Sequence, residues 1–133
     1  MPFGYEHTDK DSNSHSSGQL HSQSIAELEA LSQEAKKRCI GDTPHWTLEL
    51  IGRDPSYKGC AVADRLIMPL VERARQDGHP VWLEASNMHA CDVYLRLGFR
   101  VVEERKVGKG RCDELGNLVH GGQGVTVWAM VIY

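Results

Sequence analysis

Apolar positions recur at helical spacing at Ile25, Leu28, Leu31 and Ala35, which predicts an amphipathic helix from about residue 24. Ser24 and Glu27 stand in the S-x-x-E relation of a capping box and mark its start. Lys36, Lys37 and Arg38 fill its last turn, where cations complement the helix dipole, and Gly41 follows as a stop. That basic end reads either as a solvated, dipole-matched terminus or as a phosphate-binding patch. Residues 46–52, opening Trp46-Thr-Leu-Glu-Leu-Ile51, predict a strand. Ala63, Leu66, Ile67, Leu70 and Ala74 then mark one face of a helix over 61–76, ended by Gly78. Pro69 lies inside that helix, where it removes a hydrogen bond and bends the helix or costs about 3 kcal/mol.

Residues 80–85 predict a second strand, and strand–helix–strand makes a crossover unit whose strands run parallel. A short helix over 88–97 follows, with Ser86 or Asn87 as its cap and Gly98 as its stop. Residues 99–105 predict a third strand, and 106–123 a long glycine-containing loop of functional or mobile character. Residues 125–133 are apolar at nearly every position, the mark of a strand buried on both faces. Residues 1–23 are rich in Ser and His and poor in apolar side chains. They predict a disordered tail ahead of a domain spanning 24–133. The fold class is therefore α/β, a small mixed β-sheet with flanking helices.

Composition narrows the functional classes. The chain has 133 residues, enough for one domain, and 41% of them are hydrophobic, enough for a core. A formal charge of −3 does not suggest a nucleic-acid partner. No apolar run approaches a membrane span and no signal-peptide pattern opens the chain, so no membrane partner is expected. The four cysteines, Cys39, Cys60, Cys91 and Cys112, are scattered, with no CxxC pair and no His/Cys cluster. Neither a metal site nor a disulfide framework follows, and a reduced, cytoplasmic protein is expected. His7, His15 and His21 in the tail are irregularly spaced and read as solvated.

The chemistry concentrates in two blocks. The turn from Asp54 to Ala63 lies between a predicted strand and a helix start. There, free backbone N–H groups and the helix dipole form an anion site able to hold a phosphate or pyrophosphate. The same turn also reads as a plain tight connection. It is not G-x-G-x-x-G and contains no G-K-[ST], so dinucleotide and nucleoside triphosphate sites are not supported. The second block is Asn87-x-x-Ala90-x-x-x-Tyr94-x-x-Leu97-Gly98-Phe99.

Together the two blocks resemble the acyl-CoA-binding half of GNAT-superfamily N-acetyltransferases, over about residues 46–133. The family's Q/R-x-x-G-x-G/A turn reads here Lys58-Gly-Cys-Ala-Val-Ala63. The resemblance implies that the amides of Gly59, Cys60, Ala61, Val62 and Ala63, with Lys58 as a phosphate partner or an ordinary surface lysine, hold the CoA pyrophosphate. It implies that the strand before the turn splays from the next. Leu50, Ile51, Gly52 and Arg53 would then pair with the pantetheine arm. Asn87 would bond the cofactor, serve as a helix cap, or do both, and Tyr94 would lie near the sulfur. Acetyl-CoA is then the cosubstrate and a small-molecule or peptide amine the acceptor. Amine attack on a thioester makes an oxyanion, which a strand N–H stabilises. The thiolate leaves with a proton, for which Tyr94 is the candidate acid, with a core aromatic as the rival reading. Glu49 and Glu84 are candidates to accept the amine's proton; an exposed strand carboxylate such as Glu49 also reads as a solvated charge.

Four departures from the family pattern are visible. Lys58 replaces Gln or Arg, Ala61 replaces the first Gly, and Arg53 replaces a small apolar residue. If the position of Ala61 is left-handed, its Cβ costs about 1–2 kcal/mol. The fourth is the short region before Trp46, in which the family's usual N-terminal strands are not recognisable. Two expectations follow. The strand at Trp46, Leu48 and Leu50 carries an open edge that invites self-association. A catalytically inactive remnant that binds CoA or a protein partner stands as the alternative to an enzyme.

Overall fold

The computed structural model describes residues 14–57 and 59–133. Three helices and four strands follow in the order α1 (Ser14–Cys39), β1 (Trp46–Leu48), α2 (Val62–Gln76), β2 (Val81–Ala85), α3 (Met88–Arg96), β3 (Arg100–Val107) and β4 (Val125–Ile132). The strands form one mixed sheet in the spatial order β1-β2-β4-β3. The β1–β2 pair is parallel, as the crossover through α2 requires. β2–β4 and β3–β4 are antiparallel. The register of β3 shifts between Val101 and Glu103, so the ladder steps over Val102.

β4 is central, which is why its sequence is apolar at successive positions. Ala129, Met130, Val131 and Ile132 are all buried, on alternating faces. On one face Ile67, Val71 and Ala74 of α2 and Cys91 and Tyr94 of α3 pack on Leu83, Ala85, Met130 and Ile132. On the other, Ala35 of α1 and Ile40 just beyond it cover Trp82, Ala129 and Val131. Each large side chain so buried contributes about 1.5–3 kcal/mol of transfer free energy.

The differences from the sequence expectations have local causes. α1 begins at Ser14, so residue 24 lies inside the helix and not at its start, and residues 14–23 are helical where disorder is expected. Residues 1–13, the rest of the expected tail, lie outside the described residues. Glu27 is free of the capping role and reaches across to the β3–β4 loop. β1 stops at Leu48, short of the expected end at residue 52, because its register with β2 ends at Leu48↔Leu83. α2 runs unbroken through Pro69, which is exposed, leaving the carbonyl of Arg65 to water. β3 extends to Val107, two residues further than expected, because its ladder with β4 closes at Val107↔Val125.

Candidate functional site

Past Leu48 and Leu83 the two parallel strands part. Glu49 to Arg53 then run on without a strand partner among the described residues. Leu50 is 89% exposed, Ile51 still packs on the core, and Gly52 and Arg53 are exposed. The chain turns at Asp54, whose carboxylate accepts from the Ser56 amide at 2.9 Å and the Ser56 hydroxyl at 2.7 Å. These bonds hold the Asp54 carboxyl below its usual range. The Asp54 carbonyl accepts from the Tyr57 amide at 3.0 Å and closes the turn. Arg53 folds back to donate to the Tyr57 carbonyl at 3.1 Å, so its guanidinium braces this turn. Lys58 lies outside the described residues. A Cβ on Gly59 would fall 2.3 Å from the outer end of the exposed Tyr57 ring, which would have to swing aside.

Ala61 precedes α2 with φ 58 and ψ 30, the left-handed conformation. Among the described residues no other non-glycine has positive φ. The alanine side chain cannot cap the helix, and the first intrahelical amide bonded back is Arg65, to the Ala61 carbonyl at 3.1 Å. The amides of Val62, Ala63 and Asp64 therefore face outward without a protein acceptor among the described residues, at the positive end of the helix dipole. Such an array can bind an anionic group.

Beyond β2, Asn87 caps α3, its Oδ1 accepting from the Ala90 amide at 2.8 Å. Its side-chain NH₂ stays available at an exposed position. Tyr94 is buried with its ring 6.0 Å from that of Phe99. Burial pushes its phenol pKa up, which keeps the proton on oxygen. The Tyr94 ring thus packs in the core, and no protein hydrogen bond engages its hydroxyl among the described residues.

On the opposite face of the sheet α1, β1, β2 and the β3–β4 loop enclose an open groove of about 1420 Å³. Leu28, Leu48, Trp82, Leu118 and Val127 supply apolar walls, and Glu29, Glu49 and Glu84 carry carboxylates there. Glu49 is exposed and makes no ion pair among the described residues. Glu84 is different. It accepts from Ser32 at 2.5 Å and forms an ion pair with Arg105, whose side chain is only 8% exposed. This carboxylate balances a buried cation and is not free to accept a substrate proton, contrary to the expectation for Glu84. Burial lowers the Arg105 pKa from its ordinary value, and the positive charge of Arg38 adds to that effect. Arg105 Nε and Nη1 and Trp82 Nε1 are buried without protein partners among the described residues.

The α2 start follows the end of β1, and α3, which carries Tyr94 and is capped by Asn87, follows the end of β2. The structure also shows a second wall that the sequence analysis missed, formed by α1 and the loop over 108–124. The signal was present as the stripe Ile25, Leu28, Ser32 and Lys36, but helical periodicity does not say what a helix faces. Among the described residues no three His, Cys, Asp or Glu side chains gather as metal ligands, and all four cysteines are free.

A family model described as "Acetyltransferase (GNAT) family" matches residues 25–99. Solved structures are similar in fold. A Drosophila melanogaster polyamine N-acetyltransferase, which catalyses formation of N-acetylagmatine, aligns with TM-score 0.64 at 19% identity, over 90% of this chain and 62% of that one. The apo form of an agmatine N-acetyltransferase S171A mutant aligns with TM-score 0.63 at 19% identity, over 89% and 62%. A mosquito arylalkylamine N-acetyltransferase-like protein aligns with TM-score 0.60 at 16% identity, over 79% and 51%. The chain therefore spans less than two thirds of the length of these structures.

Proposed function

Because the chain belongs to the GNAT acetyltransferase family, we propose that it transfers an acetyl group from acetyl-CoA to the nitrogen of a small amine. The observation that carries this reading is the start of α2, where left-handed Ala61 leaves three outward amides beside parted strands. In this reading the amides around Gly59 to Ala63 hold the CoA pyrophosphate. The free backbone of Leu50 to Arg53 pairs with the pantetheine arm, and the Asn87 amide donates to the cofactor. The thioester reaches the gap between β1 and β2, and the amine enters by the groove on the α1 face.

The amine nitrogen attacks the thioester carbonyl carbon. The C–N bond forms as the carbonyl π pair moves to oxygen, where a backbone N–H of the parted strands stabilises it. Collapse breaks the C–S bond, the departing thiolate takes the proton of Tyr94, and the excess proton left on the new amide nitrogen passes to the tyrosinate, directly or through water, and restores it. The acceptor's ammonium form must first shed a proton to become the attacking amine, and Glu49 receives it directly or through water. A phenol held protonated by burial suits the acid role. Small amines as acceptors are in keeping with the agmatine and arylalkylamine activities of the structural relatives.

Calorimetric titration with acetyl-CoA and dephospho-CoA tests the cofactor. Binding is expected to weaken with salt, since phosphate charge is involved. Gly59→Pro, which places a pyrrolidine ring against Tyr57 and removes an amide, is expected to abolish it. Mass spectrometry of agmatine and 2-phenylethylamine then reads transfer. No heat and no rise in melting temperature with saturating acetyl-CoA would overturn the reading. Heat without acetylated amine would favour a CoA-binding protein that is not an enzyme.

A further inference from the structure

We propose that Glu27 is a positioning residue that ties α1 to the β3–β4 loop and thereby sets the width of the acceptor groove. The inference rests on the reading of that groove as the amine's. Glu27 sits on α1 between groove-lining Ala26 and Leu28. Its Oε1 accepts from the Gly108 amide at 3.3 Å, and its Oε2 is ion-paired with Arg111. Gly108 and Cys112, on either side of Arg111, line the opposite wall. The tie therefore joins the two walls at one point.

The loop moves with that point because it is internally bonded. The Gly110 amide donates to Gly122 at 2.8 Å and the Gly121 amide back to Gly110 at 3.0 Å. Val119 donates to Arg111 at 3.0 Å, and Gly124 to Cys112 at 2.8 Å. Asp113 accepts from the amides of Leu115 and Asn117, closing the tip. A Cβ on Gly124 would lie 2.7 Å from the Val107 carbonyl, so the base of the loop is close-packed as well. Held at Gly108 and Arg111, such a unit keeps Leu118 and Cys112 at a set distance from α1. The other polar ties of α1 among the described residues, Ser32 to Glu84 and Arg38 and Cys39 to Glu103, hold it to the strands and not to the loop. Glu27 and Arg111 are 31% and 33% exposed, so the pair's weight lies in the geometry it imposes more than in stability.

The test compares Glu27→Ala, Arg111→Met and the double variant in the full chain. Amide exchange across residues 108–124 is expected to quicken about tenfold in each single variant, and no further in the double. In acetyl transfer to agmatine, the KM for agmatine is expected to rise about tenfold while the KM for acetyl-CoA and the melting temperature hold. Unchanged exchange, additive effects in the double variant, or equal rises in both KM values would overturn the proposal. If the wild-type protein acetylates no amine, the proposed function fails and the groove is read chemically instead. Site-resolved alkylation of Cys112 is then expected to quicken in Glu27→Ala, and an unchanged rate would overturn the tie.

Discussion

At the scale of single residues, the backbone of Ala61 carries the clearest consequence. An L-residue at φ 58 pays for its Cβ, by about 1–2 kcal/mol, where glycine would not. Ala61→Gly is therefore expected to stabilise the fold by about 0.5–1 kcal/mol, part of the gain being lost to glycine's larger unfolded-state entropy. Thermal unfolding would show a rise of a few degrees, and a fall would mean that the strain is absent. Tyr94 offers a second test. Tyr94→Phe keeps the ring against Phe99 and is expected to lower turnover about 10²–10⁴-fold with little change in acetyl-CoA affinity. Burial raises the folded phenol's pKa above its ordinary 10.0, so the unfolded chain loses this proton first. Stability is then intact below that pH and falls as pH rises through the folded value. Tyr94→Phe should flatten this alkaline limb in urea titrations. A parallel loss of stability and activity at neutral pH would reduce Tyr94 to packing.

At the scale of elements, α1 is held to the sheet by apolar contact at one end and by charge along its side. Glu84 on β2 balances Arg105 on β3 beneath Ser32 of α1, with the arginine 8% and the glutamate 20% exposed. Removing one partner leaves the other charge buried and unpaired. Glu84→Leu is expected to cost about 3–5 kcal/mol, and adding Arg105→Met to recover most of it. Urea denaturation of the two variants checks this, and equal stability of the single and double variants would overturn the pairing argument. The elements themselves were mostly legible in the chain. The crossover from β1 through α2 to β2 follows from apolar spacing, and Asn87 from its place before a short periodic run. The start of α1 was not legible, because S-x-x-E describes a capping box equally well when Glu27 is bonded elsewhere. The end of β1 was not either, since strand composition continues through Ile51 while its chain parts from β2, which runs on to Ala85 against β4.

At the scale of the whole molecule, the sheet has an edge with consequences. β1 pairs with β2 alone, and among the described residues no strand borders its outer side. Trp46 and Leu50 are exposed there at 37% and 89%. Open backbone flanked by apolar side chains invites pairing with another chain. The isolated protein is therefore expected to self-associate with rising concentration in sedimentation velocity, and Leu50→Lys to reduce this. A concentration-independent monomer would mean that the edge is covered in solution.

The sequence by itself determined the central apolar strand, the parallel crossover, the small-residue turn at a helix start and the Asn87–Phe99 block. Each is written in local spacing: periodicity, capping chemistry and turn residues act over a few neighbours and need no partner to be read. Only the tertiary structure decided that Ala61 is left-handed, that Glu84 is spent on Arg105, and that α1 and the β3–β4 loop meet across a groove. These depend on residues far apart in the chain, such as Glu27 with Arg111 and Glu84 with Arg105. Which charges come together is settled by how helices pack on a sheet, and no local pattern of side chains encodes it.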